Sequence, residues 1–235
     1  MRTIGTPSTQ ARKLNAIASG ALPNGDPVVV NSDGTVSVAA SSGSPASVGA
    51  QSVFETGNIE WAGGTYDSNS NKIVFVYKDD ANSDYGTAVV GTVSGTSITF
   101  GTPVIYSSIN TDSSTATFDS NSNKVVVTYY KNNVDNSYNI VGTVSGTSIS
   151  FGAEDLFNGV AGGRDFGTTF DSSNNKVIIA FADPGNSYYG SVLIGTVSGT
   201  GITTGSEVVF QTARIQYPEC AFDTSSNKVI ISYYL

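Results

Sequence analysis

Asp67-Ser68-Asn69-Ser70-Asn71-Lys72 is written again as Asp119-Ser120-Asn121-Ser122-Asn123-Lys124 and as Asp171-Ser172-Ser173-Asn174-Asn175-Lys176. A fourth copy, Asp223-Thr224-Ser225-Ser226-Asn227-Lys228, lies near the end, and each leading aspartate stands 52 residues from the next. Between these copies a second phrase recurs, Val90-Gly91-Thr92-Val93-Ser94-Gly95-Thr96, then Val141 to Thr147, then Ile194 to Thr200. A fixed period of this length is the mark of a repeat architecture, in which each copy is one supersecondary unit that its neighbours must cover.

Each copy divides into four short strands. In the second copy these are Thr115–Phe118, Lys124–Tyr130, Tyr138–Val144 and Ser148–Phe151, the last continuing toward Leu156. Ile73-Val74-Phe75-Val76-Tyr77 is apolar at every position, as suits a strand covered on both faces. Ile98 and Phe100 alternate with Ser97 and Thr99, as suits a half-exposed one. An all-β chain of four-stranded units with a buried inner part and a wetter outer strand reads as a β-propeller of roughly 52-residue blades, which limits exposed sheet edges by radial repetition.

Two segments bear on closure. Ala46–Phe54 aligns with the fourth strand at Ile98–Tyr106, while Ala221-Phe222 and Lys228–Tyr234 supply a first and a second strand. Joining them leaves a fourth blade short of its third strand. The preceding leader, residues 1–45, holds a hairpin that could fill it: Pro27–Val30 and Thr35–Val38 flank Asn31-Ser32-Asp33-Gly34, and Asp-Gly between β-formers is a strong turn signal. The expectation is a leader over 1–45 and a four-bladed ring over 46–235, closed by the N-terminal strand. An open piece of a larger propeller, a β-sandwich and a solenoid remain as alternatives. Thr9–Ser19 could form a helical turn or two.

Composition narrows function. With 19 acidic residues against 11 basic ones there is no basic stripe for a nucleic-acid backbone or an anionic membrane. No apolar run approaches a membrane span, and the N-terminus, with Arg2, Arg12 and Lys13, has no apolar core of a signal peptide. The chain contains no histidine, which removes the usual general base and the serine-histidine triad. Its single cysteine, Cys220, replaces Ala116 and Thr168 of the earlier copies and reads as a small buried hydrophobe.

The repeated aspartates tempt a calcium reading, because Asp67, Asn69 and Asn71 alternate as some calcium loops do. The bend glycine and the distal bidentate acid are missing, and Lys72 stands where oxygen would be wanted. A hairpin turn is the simpler reading: Asp accepts from backbone amides two residues on, and Asn71, Asn123, Asn175 and Asn227 tolerate a left-handed conformation. No metal and no cofactor is expected.

Function is better sought where the copies differ. Trp61, Ser113, Asp165 and Tyr217 share one repeat position, with Glu60, Asp112, Arg164, Arg214 and Glu219 beside it. These connections should emerge on the same face as the loops Asp79–Tyr85, Asn132–Tyr138 and Asp183–Tyr189. Tyrosine beside Asn and Asp can stack on a sugar face and bond its hydroxyls, which makes Trp61, Arg164, Asp165, Tyr217, Tyr85, Tyr138 and Tyr188 candidate ligand contacts. The competing reading is of polar loops whose tyrosines cover the core rim. A glycosidase would need a carboxylate pair about 5–9.5 Å apart; Glu60, Asp112, Asp165 and Glu219 could supply one, but no motif singles it out.

The phrase Val-Gly-Thr-Val-Ser-Gly-Thr-Ser-Ile-(Thr/Ser)-Phe-Gly followed by Asp-Ser-Asn-Ser-Asn-Lys-Val resembles repeats in virion structural proteins of marine bacteriophages, tail fibres among them. Ile17–Val28 with Asn31–Val38 is similar to the pieces that precede such repeats, so the likeness spans about residues 17–235. It implies a virion component made in the host cytoplasm without a signal peptide, docked to other virion proteins through its leader and able to self-associate. It brings no catalytic residues. Three expectations follow: a non-enzymatic virion appendage that touches a host-surface glycan, a polysaccharide-acting propeller enzyme, or a cellular adhesive repeat protein.

Overall fold

A computed structural model describes residues 18, 20, 28–38, 49–158 and 165–235, in two compact units, Met1–Val48 and Gly49–Leu235. The described residues are all-β, with antiparallel sheets, two short 3-10 turns and no α-helix, and none of the sheets closes into a barrel. No helix among them is long and apolar enough to cross a membrane.

The first unit carries the expected hairpin, β1 (Val28–Val30) against β2 (Val36–Val38), with Val30 opposite Val36. Asn31 N–H donates to the Thr35 carbonyl at 2.8 Å, and Gly34 turns the chain at φ 83°. The Asp33 carboxylate closes the turn by accepting from the Thr35 amide and hydroxyl at 2.9 and 2.7 Å, which lowers its pKa. Pro27 and nearly all of the Thr9–Ser19 stretch lie outside the described residues, though Ala18 makes a parallel bridge to Val36.

The second unit repeats one antiparallel meander. Its first copy runs β3 (Ile59–Asp67), β4 (Lys72–Asp79), β5 (Tyr85–Ser94) and β6 (Ser97–Phe100). The long β7 (Val104–Asp119) then serves twice: Val104–Asn110 pairs with the start of β5, and Thr111–Asp119 becomes the first strand of the next copy. That copy continues through β8 (Lys124–Lys131), β9 (Asn136–Ser145), β10 (Ser148–Phe151) and β11 (Asp155–Asn158). Because β7 is shared, the first two copies form one nine-stranded sheet. The third copy is β12 (Phe166–Asp171), β13 (Lys176–Asp183), β14 (Tyr189–Ser198), β15 (Gly201–Thr204) and β16 (Val208–Arg214). The last is only β17 (Gln216–Asp223) and β18 (Lys228–Tyr234), a two-stranded sheet.

Two expectations need correction. The fourth strand of each copy is broken in two: β10 pairs with the end of β9 and β11 with its beginning, as β6 and β7 do along β5. Gly101-Thr102-Pro103 and Gly152-Ala153-Glu154 interrupt the ladder, the first with a proline that cannot donate to it. Nor do residues 49–54 of the Ala46–Phe54 stretch form a strand, since they have no strand pairing; 46–48 lie outside the described residues. Among the described residues the sheet it would join stops at β18, with no third strand to pair with it. Its packing nevertheless follows the repeat. A Cβ on Gly49 would sit 1.7 Å from the Thr96 carbonyl oxygen, as one on Gly101 would sit 1.8 Å from that of Thr147. Phe54 lies 5.6 Å from Phe75 and 5.2 Å from Tyr77, much as Tyr106 lies 5.0 Å from Tyr129.

Strand β8, apolar along most of its length, is covered on both faces. Along β8, Val125, Val127 and Tyr129 enter one core with Val74, Val76, Ala88 and Val90, whereas Val126 and Tyr130 enter another with Val177, Ile179 and Phe181. Alternation at a period of two sends neighbours to opposite faces, and burying one such side chain stabilises by roughly 1.5–3 kcal/mol. Ser97–Phe100 alternates exposed and half-buried, also as expected.

The repeated turns are the hairpin turns anticipated. Asp67 accepts from the amides of Asn69 and Ser70 at 2.9 and 3.0 Å, and Asp119 and Asp171 repeat the pattern. Asn71, Asn123, Asn175 and Asn227 all have φ between 54° and 56°. Hydrogen bonds from the Asn174 and Ser173 side chains and from the turn amides lower the Asp171 pKa, and those from Ser226 and Ser225 lower that of Asp223.

Candidate binding cleft

The first strand of three of the copies carries an irregularity at one repeat position. Register shifts interrupt β3–β4 between Glu60 and Gly63, β7–β8 between Asp112 and Thr115, and β17–β18 between Gln216 and Glu219. Each is a bulge, and at its centre a non-glycine residue takes a left-handed backbone: Trp61 at φ 50°, Ser113 at 52° and Tyr217 at 49°. Such a conformation costs on the order of 1–3 kcal/mol for a bulky side chain, and a bulge re-aims the side chain it carries. Asp165 holds the same place just ahead of β12.

All four residues meet. A cleft of about 270 Å³ is lined by Trp61, Ser113, Asp165 and Tyr217, together with the residues that follow each, notably Phe166 and Glu219. Close approach of the first strands of successive copies makes this possible. A Cβ on Gly63 would stand 2.9 Å from the Ser114 carbonyl oxygen, and one on Gly167 2.7 Å from that of Pro218. Thr115 and Thr168 bring their hydroxyls to 3.3 Å, and Tyr217 N–H donates to Asp165 Oδ2 at 3.3 Å. Residues at one repeat position of all four copies therefore line one opening, each contributing a different side chain.

The lining is mixed in character. Trp61 and Tyr217 are 47% and 68% exposed, large aromatic surfaces left in water. Ser113 Oγ is buried without a hydrogen-bond partner. Of the four acids weighed as a carboxylate pair, the structure divides two from two. Glu60 and Asp112 surround Lys78 Nζ at 3.1 and 3.7 Å, whereas Asp165 and Glu219 line the cleft.

The other candidate contacts lie elsewhere. Tyr138 is half-buried, stacked on Tyr129 at 6.1 Å with Lys131 Nζ 4.2 Å above its ring, so it covers the core. Tyr188, left-handed at φ 60°, carries the Arg214 guanidinium 4.9 Å from its ring centre. Tyr85 opens β5 opposite Asp79 and Asn110, half-buried. Arg164 lies outside the described residues. The loops after the second strands do adjoin the connections between copies: Asn110 Nδ2 donates to Asp84 at 2.8 Å, Asn132 Nδ2 to Asn110 at 2.9 Å and Asn158 Nδ2 to Asp183 at 3.1 Å.

Cys220 is half-buried in β17 against the third copy, and burial pushes its thiol pKa up to about 11, so little thiolate exists at neutral pH. The cleft residues that single positions did not reveal are Phe166, Pro218 and the bulges themselves. Their one sequence signal is a strand with one more residue than its partner can pair. Comparison with protein-family models, with curated proteins and with solved structures finds no match to this chain.

Proposed function

We propose that residues 46–235 are a four-bladed β-propeller whose fourth blade is completed by a strand of the N-terminal leader. We read the protein as a non-enzymatic bacteriophage virion component, a tail fibre or surface decoration. In this reading the leader docks onto other virion proteins and the axial cleft binds glycan on the host surface. One observation carries the binding reading: the repeat position that varies from copy to copy is the one that converges, with two exposed aromatics and an acid, on a single opening. Exposed aromatic faces beside hydrogen-bonding groups are what sugar rings require, and selection on folding alone gives no reason for four copies to differ there.

The test is migration of the full chain through gels containing bacterial surface polysaccharides, with reducing ends measured in parallel. Retardation by some polysaccharide, lost in the Trp61→Ala/Tyr217→Ala variant and without new reducing ends, is the expected result. Absence of retardation across the panel would overturn the binding reading. New reducing ends that disappear in Glu219→Gln would make the protein an enzyme, a reading favoured only by Asp165 and Glu219 sharing the cleft. For the virion assignment, the chain should co-purify with phage particles and cease to do so when residues 1–45 are deleted.

A further inference from the structure

Resting on the carbohydrate reading above, we infer that the cleft selects an amino sugar, one bearing a protonated amine, over neutral and acidic sugars. The described lining contains two carboxylates, Asp165 and Glu219, and no lysine or arginine. Its two large exposed surfaces are the rings of Trp61 and Tyr217, and an aromatic face attracts a cation through its quadrupole, tryptophan most strongly. An ammonium group has three donors and no acceptor, so it needs acceptors around it. Asp165 offers a carboxylate with about four lone-pair directions, of which the Tyr217 amide uses one on Oδ2.

The charge of the whole molecule points the same way. A formal net charge of −8 repels uronic and sialic acids and draws cations, and clefts focus such fields. N-acetylation of the amine would remove the charge and two donors while adding bulk, so it should weaken binding at this site. A neutral sugar would stack on the rings and donate hydroxyl hydrogen bonds to the carboxylates, but would leave their charge uncompensated.

The chain's one tryptophan is Trp61, so its fluorescence reports on the cleft directly. The experiment titrates the full chain with short glucosamine oligomers, the same oligomers N-acetylated, neutral gluco-oligomers and oligogalacturonates, at low salt and at about 0.15 M salt. The free-amine oligomers should bind at least about tenfold tighter than the others and weaken as salt rises. In Asp165→Asn/Glu219→Gln, checked for intact folding by circular dichroism, that preference should fall to near parity. Equal binding of amine and neutral oligomers overturns the inference and leaves the carbohydrate reading standing. Binding by none of the four overturns both, and a preference for oligogalacturonates reverses the charge argument.

Discussion

Strands β13 and β18 carry nearly the same message in different surroundings. Lys176-Val177-Ile178-Ile179 and Lys228-Val229-Ile230-Ile231 stand 52 residues apart, yet Ile178 is 7% exposed and Ile230 is 54% exposed. The first strand lies between two neighbours, β12 and β14; among the described residues the second pairs only with β17. A strand's apolar pattern thus records the cover it is built for, and β18 is built for more cover than its own sheet provides. That difference is the physical basis for expecting a further strand on its edge, since an unpaired apolar edge invites pairing.

The largest expected effect tests this directly. Ile178→Ala should cost about 2–5 kcal/mol in urea unfolding, the usual range for truncating a buried isoleucine. Ile230→Ala should stay within about 0.5 kcal/mol if its face is open to water. Equal costs would show that Ile230 is covered in solution. Repeating the pair after deletion of residues 1–45 then separates the leader from a second copy of the chain: if the leader supplies the cover, the cost at Ile230 drops at every protein concentration.

A second contrast lies between the first and second copies at a single position. Lys131, 7% exposed at its side chain, reaches Glu154 at 2.5 Å, and the Tyr129 hydroxyl bonds the same carboxylate. In the first copy the corresponding residues are Asp79 and Tyr77, whose Oδ1 and hydroxyl are buried without partners. Burial, and then the nearby Glu55, raises the Asp79 pKa. Lys131→Met should therefore destabilise by ~1–3 kcal/mol, below the full cost of stranding a buried charge because Glu154 is 31% exposed. Asp79→Asn should act oppositely and raise the melting temperature at neutral pH. A carboxyl whose folded pKa is raised favours folding as pH falls toward its unfolded value and opposes it above, so the gain should vanish in acid. Should both variants destabilise alike, Asp79 has a partner in solution.

Much of this architecture was legible because its signals are local. The Asp-to-Asn turns, the two-faced strands and the Asn31–Gly34 hairpin each follow from residue types acting within a few positions. The shared β7 and the broken outer strands were not, because pairing partners lie far along the chain and a continuous sixteen-residue strand reads the same as two strands joined by a loop. The cleft was half legible. Variation among copies picked out Trp61, Asp165 and Tyr217, but the loop tyrosines Tyr85, Tyr138 and Tyr188 share their chemistry without sharing their place. Only the bulges, which turn position 61 and its equivalents toward one opening, separate the two groups.

The smallest effect sharpens the first comparison by asking what the open sheet shares with the covered one. The turns at Asp171 and Asp223 share one bond, with Ser173 and Ser225 amides donating at 2.9 and 2.8 Å, and differ in their side-chain donors, Ser173 and Asn174 at the first and Ser226 at the second. Both carboxyls have lowered pKa values, so each contributes stability above the unfolded value, about pH 4, that is lost as pH falls through the folded one. Asp171→Asn and Asp223→Asn should each lower the urea midpoint slightly at neutral pH, and both differences from wild type should close below about pH 4. If the turn is a local device, the two variants should match despite the different cover of their strands. A much smaller effect at Asp223 alone would mean that the β17–β18 hairpin opens before the rest of the unit, making the uncovered sheet a separate folding element.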